Sequence, residues 1–353
     1  MTTLHSRKSI RPSPLRLGFL LIPLVLACFG LAPTAQAQLS PAPDGGYPGE
    51  NTAEGDSALF SLTGNGVRNT AIGFEALSSN TGGGANTAIG ASALASNTAN
   101  DNTACGSYAL ANNTTGSGNT AIGIDALMLN IDGGANTATG RDALFNNTSG
   151  TNNTANGNAA LFNNTTGYNN AANGTSALGS NTTGADNTAS GVNALFHNTT
   201  GYYNAANGFQ ALISNSTGIE NTADGVSALY SNAAGAGNTA EGFKALFHNT
   251  GNNNIGLGSS AGSSLTTGSG NVCIGSGVLG VASESNTTRI KNVYASVASG
   301  RAFTPIQTTR SAPLSPRDGL RTRSTPWTKP AKPSWQLNRS PSVIKRRLNP
   351  MGP

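Results

Sequence analysis

Charge is the scarcest resource in this chain. Only 10% of its 353 residues are Asp, Glu, Lys or Arg, against the roughly 25% of an ordinary soluble domain. That balance is wrong for an enzyme core wrapped in a solvated, ion-paired shell. Three histidines and three cysteines in the whole chain leave little for acid–base, thiol or metal chemistry, and no convergent set of such residues points to a hydrolytic site. Glycine is the opposite extreme, with 46 residues, which suggests a repetitive scaffold.

The net charge of +5 hides an uneven distribution. Residues 38–301 carry six basic side chains (Arg68, Arg141, Lys244, Arg289, Lys291, Arg301) against fourteen acidic ones, a net of −8. The positive charge sits at the two ends. A nucleic-acid-binding protein needs a basic face on its folded part, so no nucleic-acid partner is expected.

The first 37 residues read as a signal peptide. Arg7, Lys8, Arg11 and Arg16 precede the apolar run "LGFLLIPLVLACFGLAP", and "AQA" places small residues before a cut between Ala37 and Gln38. A transmembrane anchor is the competing reading, disfavoured by Pro23 and by the cleavage pattern that follows at once. A lipoprotein cut at Cys28 is weaker, since Leu26 stands where a smaller residue is usual. Export is expected, with a short linker at 38–50 and no membrane span after signal removal.

From Asn51 the chain repeats itself. Motif-opening asparagines fall at 51, 69, 86, 102, 119, 136, 153, 170, 187, 204, 221, 238, 254 and 271, a spacing of 17 with single slips to 18 or 16. That makes fourteen copies of roughly N-T-A-x-G-x-x-A-L-x-x-N-T-x-G over 51–285. The unit is too short for a helix pair, and its two glycines break a helix at each pass. It fits one coil of a parallel β-solenoid: a short strand, a turn, a second short segment and another turn. At about 4.8 Å per coil, fourteen coils would make a rod of roughly 65 Å.

Each repeat position has a physical reason. Ala occupies position 3 in twelve consecutive copies, with only Gly256 and Cys273 departing, so this side chain points into a tight interior. The Ala-Leu pair at positions 8 and 9 also recurs twelve times and gives a continuous apolar row. Asn69, Ala71, Gly73, Ala76 and Leu77 in one copy, and Asn119, Ala121, Gly123, Ala126 and Leu127 in another, therefore stand as structural residues. The Asn columns can bond turn backbone or the Asn of the next coil. The sequons they create, such as Asn112-Asn113-Thr114, read as turn chemistry rather than glycosylation. Position 4 is apolar at Ile72, Ile89, Cys105, Ile122, Leu257 and Ile274 but polar from Thr139 to Glu241. In those middle copies aromatics follow the Leu instead, at Phe145, Phe162, Phe196, Tyr230 and Phe247. Either the buried row changes sides there or the middle is more open.

His197 and His248 share a repeat position three coils apart, about 14 Å along the stack and too far to hold one metal ion. Cys105 and Cys273 lie ten coils apart and cannot bridge within one chain; each reads as a small buried residue. No cofactor is called for. The Gly-x-Gly fragments lack the strand-to-helix setting of a phosphate loop and read as turns.

"NTAIGFEAL", "NTAIGASAL" and "NTAIGIDAL" resemble the head repeats of YadA-like trimeric autotransporter adhesins. They are still more similar to long head-repeat proteins that end in the intramolecular chaperone domain of phage tail spikes and fibres. The resemblance covers about residues 51–300 and implies a left-handed β-roll, three copies packed about an axis, and a non-enzymatic surface-attachment role toward a receptor or glycan. Two departures stand against it: the polar position 4 of the middle copies, and the lack of a C-terminal barrel anchor.

After a connector strand at 286–301 the vocabulary changes. Residues 302–353 hold both tryptophans, Trp327 and Trp335, and ten basic residues against Asp318 alone, which reads as a disordered tail. Back-translated freely within codon degeneracy, the segment from Ala302 can be written so that a neighbouring frame resembles the start of the tail-fibre chaperone domain, so a frameshift is expected. In the frame as given, the self-cleavage Ser and Lys of that domain do not occur.

The expected protein is an exported, homotrimeric fibre or stalk at a bacterial surface. An ice-binding solenoid is the alternative, suggested by the Thr column at 52, 70, 87, 103, 120 and 137 but weakened by Ala171 and Ala205 within it. A non-functional remnant of a tail-fibre protein is the other.

Overall fold

The computed structural model describes residues 49–63 and 66–291. The signal peptide, most of the linker, the end of the connector and the basic tail fall outside them. All regular secondary structure among the described residues is β. Fifteen three-residue strands run from β1 (Thr52–Glu54) and β2 (Thr70–Ile72), one per repeat, to β14 (Val272–Ile274) and β15 (Thr288–Ile290). They form a single parallel sheet in strict chain order. The chain is thus a parallel β-solenoid.

Register follows the repeat. Ala71 pairs with Ala88, and Ala121 with Ala138, so equal positions lie above one another. The strand T-A-x turns its middle residue inward and the flanking two outward, as the two-residue period of a strand requires. Ala is the largest side chain the column uses apart from Cys273 and the terminal Arg289, because the opposite wall is close: Ala71, Ala76 and Leu77 are all fully buried. Twelve leucines are fully buried in the core, each worth about 1.5–3 kcal/mol.

Position 4 faces outward in every coil, apolar or not. Ile72, Ile89 and Ile122 are 37%, 41% and 45% exposed. The buried row therefore never changes sides. The aromatics after the Leu are half-buried on the outside of the coil and supplement the leucine row rather than replace it.

The second short segment is not a strand. Residues 6–11 of each repeat form turns in which left-handed residues alternate with right-handed ones: Asp125 has φ 59° and Leu127 has φ 52°. The backbone bonds explain the stability of this shape. Asp125, Leu127 and Leu129 donate to Ser107, Ala143 and Phe145 of neighbouring coils, whereas Ala126, Met128 and Asn130 donate three residues back within their own coil. Every N–H from Asp125 to Asn130 is satisfied. A left-handed Leu costs about 1–2 kcal/mol, which its burial offsets.

The ends depart from the rule in compensating ways. In the coil that opens at Asn254, position 9 is Gly262 and the leucine appears three residues later as the fully buried Leu265. At β15 the Ala column ends in Arg289, in register with Cys273, and its guanidinium bonds the Glu284 carboxylate.

Candidate functional site

The interior is a pair of asparagine ladders. Asn136 donates its backbone N–H (3.0 Å) and its side-chain amide (3.2 Å) to Asn119 Oδ1 one coil earlier. The same relation recurs through Asn153, Asn170 and Asn187. A second ladder runs through position 12, where Asn130 Nδ2 donates to Asn113 Oδ1 at 2.6 Å and Asn147 Nδ2 to Asn130 Oδ1 at 2.7 Å. Both ladders meet at one carbonyl: Gly133 O accepts Asn119 Nδ2 and Asn130 Nδ2, each at 2.8 Å. These asparagines are fully buried, and an unpaired amide there would cost about 1–3 kcal/mol.

That convergence fixes the glycine at position 15. A Cβ on Gly133 would lie 2.6 Å from Asn130 Oδ1 and 2.8 Å from Asn147 Nδ2. The position-5 glycine is fixed by conformation instead, with Gly123 at φ 136° and its Cβ site 2.6 Å from Gly140 O. Asn69, Ala71, Gly73, Ala76 and Leu77 thus come together in one coil section, as do Asn119, Ala121, Gly123, Ala126 and Leu127. Their arrangement holds coil to coil and offers no group to a substrate. Ala37 and Gln38 lie outside the described residues.

Chemistry-bearing side chains are dispersed on the outside. His197 and His248 are exposed, each edge-on to the preceding Phe at 4.7 Å. Cys105 is exposed, contrary to its reading as a buried residue, because it stands at outward position 4. Cys273 is buried in the Ala column, and burial first, then the Glu284 charge, pushes its thiol up, with Arg289 opposing. Among the described residues no three of His, Cys, Asp and Glu gather as a metal site, and no helix is long and apolar enough to cross a membrane.

The outer face carries three distinct textures. Thr70, Thr87 and Thr120 stand outward beside Ile72, Ile89 and Ile122, so the Thr row runs alongside an apolar ridge and not a second Thr row. Rings stack along position 10, Phe145 on Phe162 at 5.3 Å and Tyr230 on Phe247 at 4.8 Å. Clefts also indent this face. One, about 230 Å³, lies beside Lys244, Phe247 and His248, with Lys244 Nζ 5.2 and 5.3 Å from the Phe243 and Phe247 ring centres. Another, about 280 Å³, lies between Tyr168, Tyr202 and Tyr203. Sequence reasoning passed over it; the available signal was bulk at positions 16 and 17, where most copies are small or polar.

No known family model matches the chain, and no curated protein matches it.

Proposed function

We propose that this chain is an exported structural and adhesive fibre protein, a homotrimer of solenoids that attaches a bacterial surface to a receptor or glycan and performs no catalysis. The parallel solenoid of about fourteen turns is compatible with repeat adhesin heads. The observation that carries the proposal is the outward apolar ridge of the early coils. Ile72, Ile89 and Ile122 lie in adjacent or near-adjacent rungs with Phe74 and Ile124 beside them, at 54% and 53% exposure. A contiguous apolar strip on a soluble surface marks a contact, and a straight ridge on a repeat protein suits a second and third copy of the same ridge.

Support also comes from economy of use. The repeat's invariant side chains are spent on stacking, which leaves the variable outer positions for recognition. Sedimentation equilibrium of the mature chain tests the assembly: a mass three times that of the monomer is expected. A monomer at micromolar concentration would overturn the trimer, and loss of surface attachment on deleting the repeats tests the adhesive part.

A further inference from the structure

The cleft between Tyr168, Tyr202 and Tyr203 is built from departures that stacking does not need. Position 16 is Gly84, Ser117, Gly134, Thr151, Ala236 or Ser269 in other 17-residue coils and Ile219 in the coil after Tyr202, and those coils keep the same strand pairing. Tyr168 and Tyr202 occupy this position two coils apart, with Ala185 between them. The two tyrosines therefore rise on either side of a small residue, about 9.6 Å apart along the stack. Ala185 is 7% exposed and floors the gap.

Tyr203 closes one side. It takes φ 57° at position 17, where Ala85, Asp101 and Ala135 accept the same left-handed backbone, so the coil does not need a ring there. Its ring stands at 79° to Tyr202, 5.2 Å between centres, which makes a corner of two walls. Asp186 lines the notch as well. Asn169 Nδ2 donates to its Oδ1 at 3.0 Å, which orients the carboxylate, and its other oxygen accepts no bond from the described residues. Thr183 and Thr200 add exposed hydroxyls.

We infer that this notch binds one neutral pyranose of a surface glycan, a deepening of the adhesive reading on which it rests. A pyranose has an apolar C–H face and a rim of hydroxyls that both donate and accept. The tyrosine faces take the first, and Asp186 with the two threonines takes the second. The volume of about 280 Å³ admits one ring, and the spacing of the flanking tyrosines admits a slab and not a bulky branched group. The notch has no Lys, Arg or His in its lining, and Asp186 repels anions, so uronic and sialic acids are rejected. One such notch is weak, in the millimolar range for so few contacts; several copies on one fibre add avidity through effective concentration.

The test uses the full mature chain with methyl glucoside, galactoside and mannoside as probes, read by saturation-transfer NMR, with glucuronate and choline alongside. At least one neutral glycoside binds, Tyr202→Ala and Tyr168→Ala each weaken it tenfold or more, Asp186→Asn weakens it several-fold, and Tyr108→Ala, an exposed tyrosine elsewhere, leaves it unchanged. Circular dichroism of the variants separates lost binding from lost fold. Failure of every neutral glycoside overturns the inference, as does binding that survives Tyr202→Ala, or binding of choline in place of sugar through the three rings and the carboxylate. Sedimentation keeps the two proposals apart: an intact trimer without sugar binding sinks only the notch, and a sugar-binding monomer sinks only the fibre.

Discussion

The coil at 119–135 has 17 residues and the coil at 238–253 has 16, and the missing residue has one consequence. Position-1 contacts are alike in both: Asn136 and Asn254 each bond the Oδ1 of the preceding ladder member through backbone and side chain. Strand register also runs through unchanged. At position 12 the coils part. Asn130 reaches back to Asn113 and forward three residues to Gly133. Asn249 reaches only two residues forward, to Gly251, and turns its Oδ1 to Asn254. Asn232 Oδ1 one coil earlier is then buried without a partner. In the coil at 86–101 Asn97 likewise bonds Ala99 and Asn102, but there Asn80 Oδ1 one coil earlier accepts the Gly83 N–H and is not orphaned. The sheet side keeps the register, and the corner at positions 12–15 absorbs a deletion.

If only that corner differs, changes elsewhere should hurt both coils equally. The largest such effect is expected at position 5. Gly123→Ala and Gly242→Ala both place a Cβ on left-handed backbone against the next coil, 2.6 Å from Gly140 O and 2.7 Å from Gly258 C. Each should cost about 3 kcal/mol, measured by urea unfolding. A difference above about 1 kcal/mol between the two would break the comparison.

The corner itself should respond unequally. Asn147→Ala removes a donor to Asn130 and Gly150, strands the buried Asn130 Oδ1 and leaves Asn164 Nδ2 with Gly167 O alone, at a cost of about 1–3 kcal/mol. Asn249→Ala removes less, because Asn254 Nδ2 retains Asn238 and Gly268. A smaller step follows from repairing the short coil. One glycine inserted between Thr250 and Gly251 restores the 17-residue count, lets Asn249 reach Asn232 Oδ1, and should add about 1 kcal/mol. Hydrogen exchange across 232–254 reports it; unchanged protection would show that the orphaned oxygen carries no cost.

Much of this interior was legible because the repeat states it fourteen times. An Ala column that admits nothing beyond Cys until its terminal arginine, an unbroken Leu pair and a recurring Asn are signals of packing and of amide stacking, and all three lie where the register predicts. The hand of Leu127 was not legible, since no propensity places leucine at positive φ, and its burial and inter-coil N–H bond, which repay it, are tertiary. Cys105 was misplaced for a simpler reason. With Ala104 inward, the strand period sends position 4 outward, and the apolar character of its neighbours Ile89 and Ile122 argued for burial when it marks a surface. The tyrosine notch was hidden because it is defined by departures from the repeat, and a consensus suppresses departures.

The smallest expected effect concerns the last coil, where the Asn ladder ends at Thr287 and an ion pair stands in for further stacking. Glu284 is partly desolvated, which works upward, but hydrogen bonds from Arg289 and the Val281 N–H together with the guanidinium charge hold its carboxyl below the usual carboxylate range. A carboxyl lowered on folding adds stability above its unfolded value, about 4.3, and that contribution fades as pH falls through the lowered folded value. Acidification from neutral pH should therefore leave amides of 119–238 protected while those of 272–290 exchange faster as Glu284 takes up its proton. Glu284→Gln should remove that pH dependence and leave the middle coils untouched. Equal loss of protection along the whole stack would mean that the end coil is coupled to the rest more tightly than nearest-neighbour stacking allows.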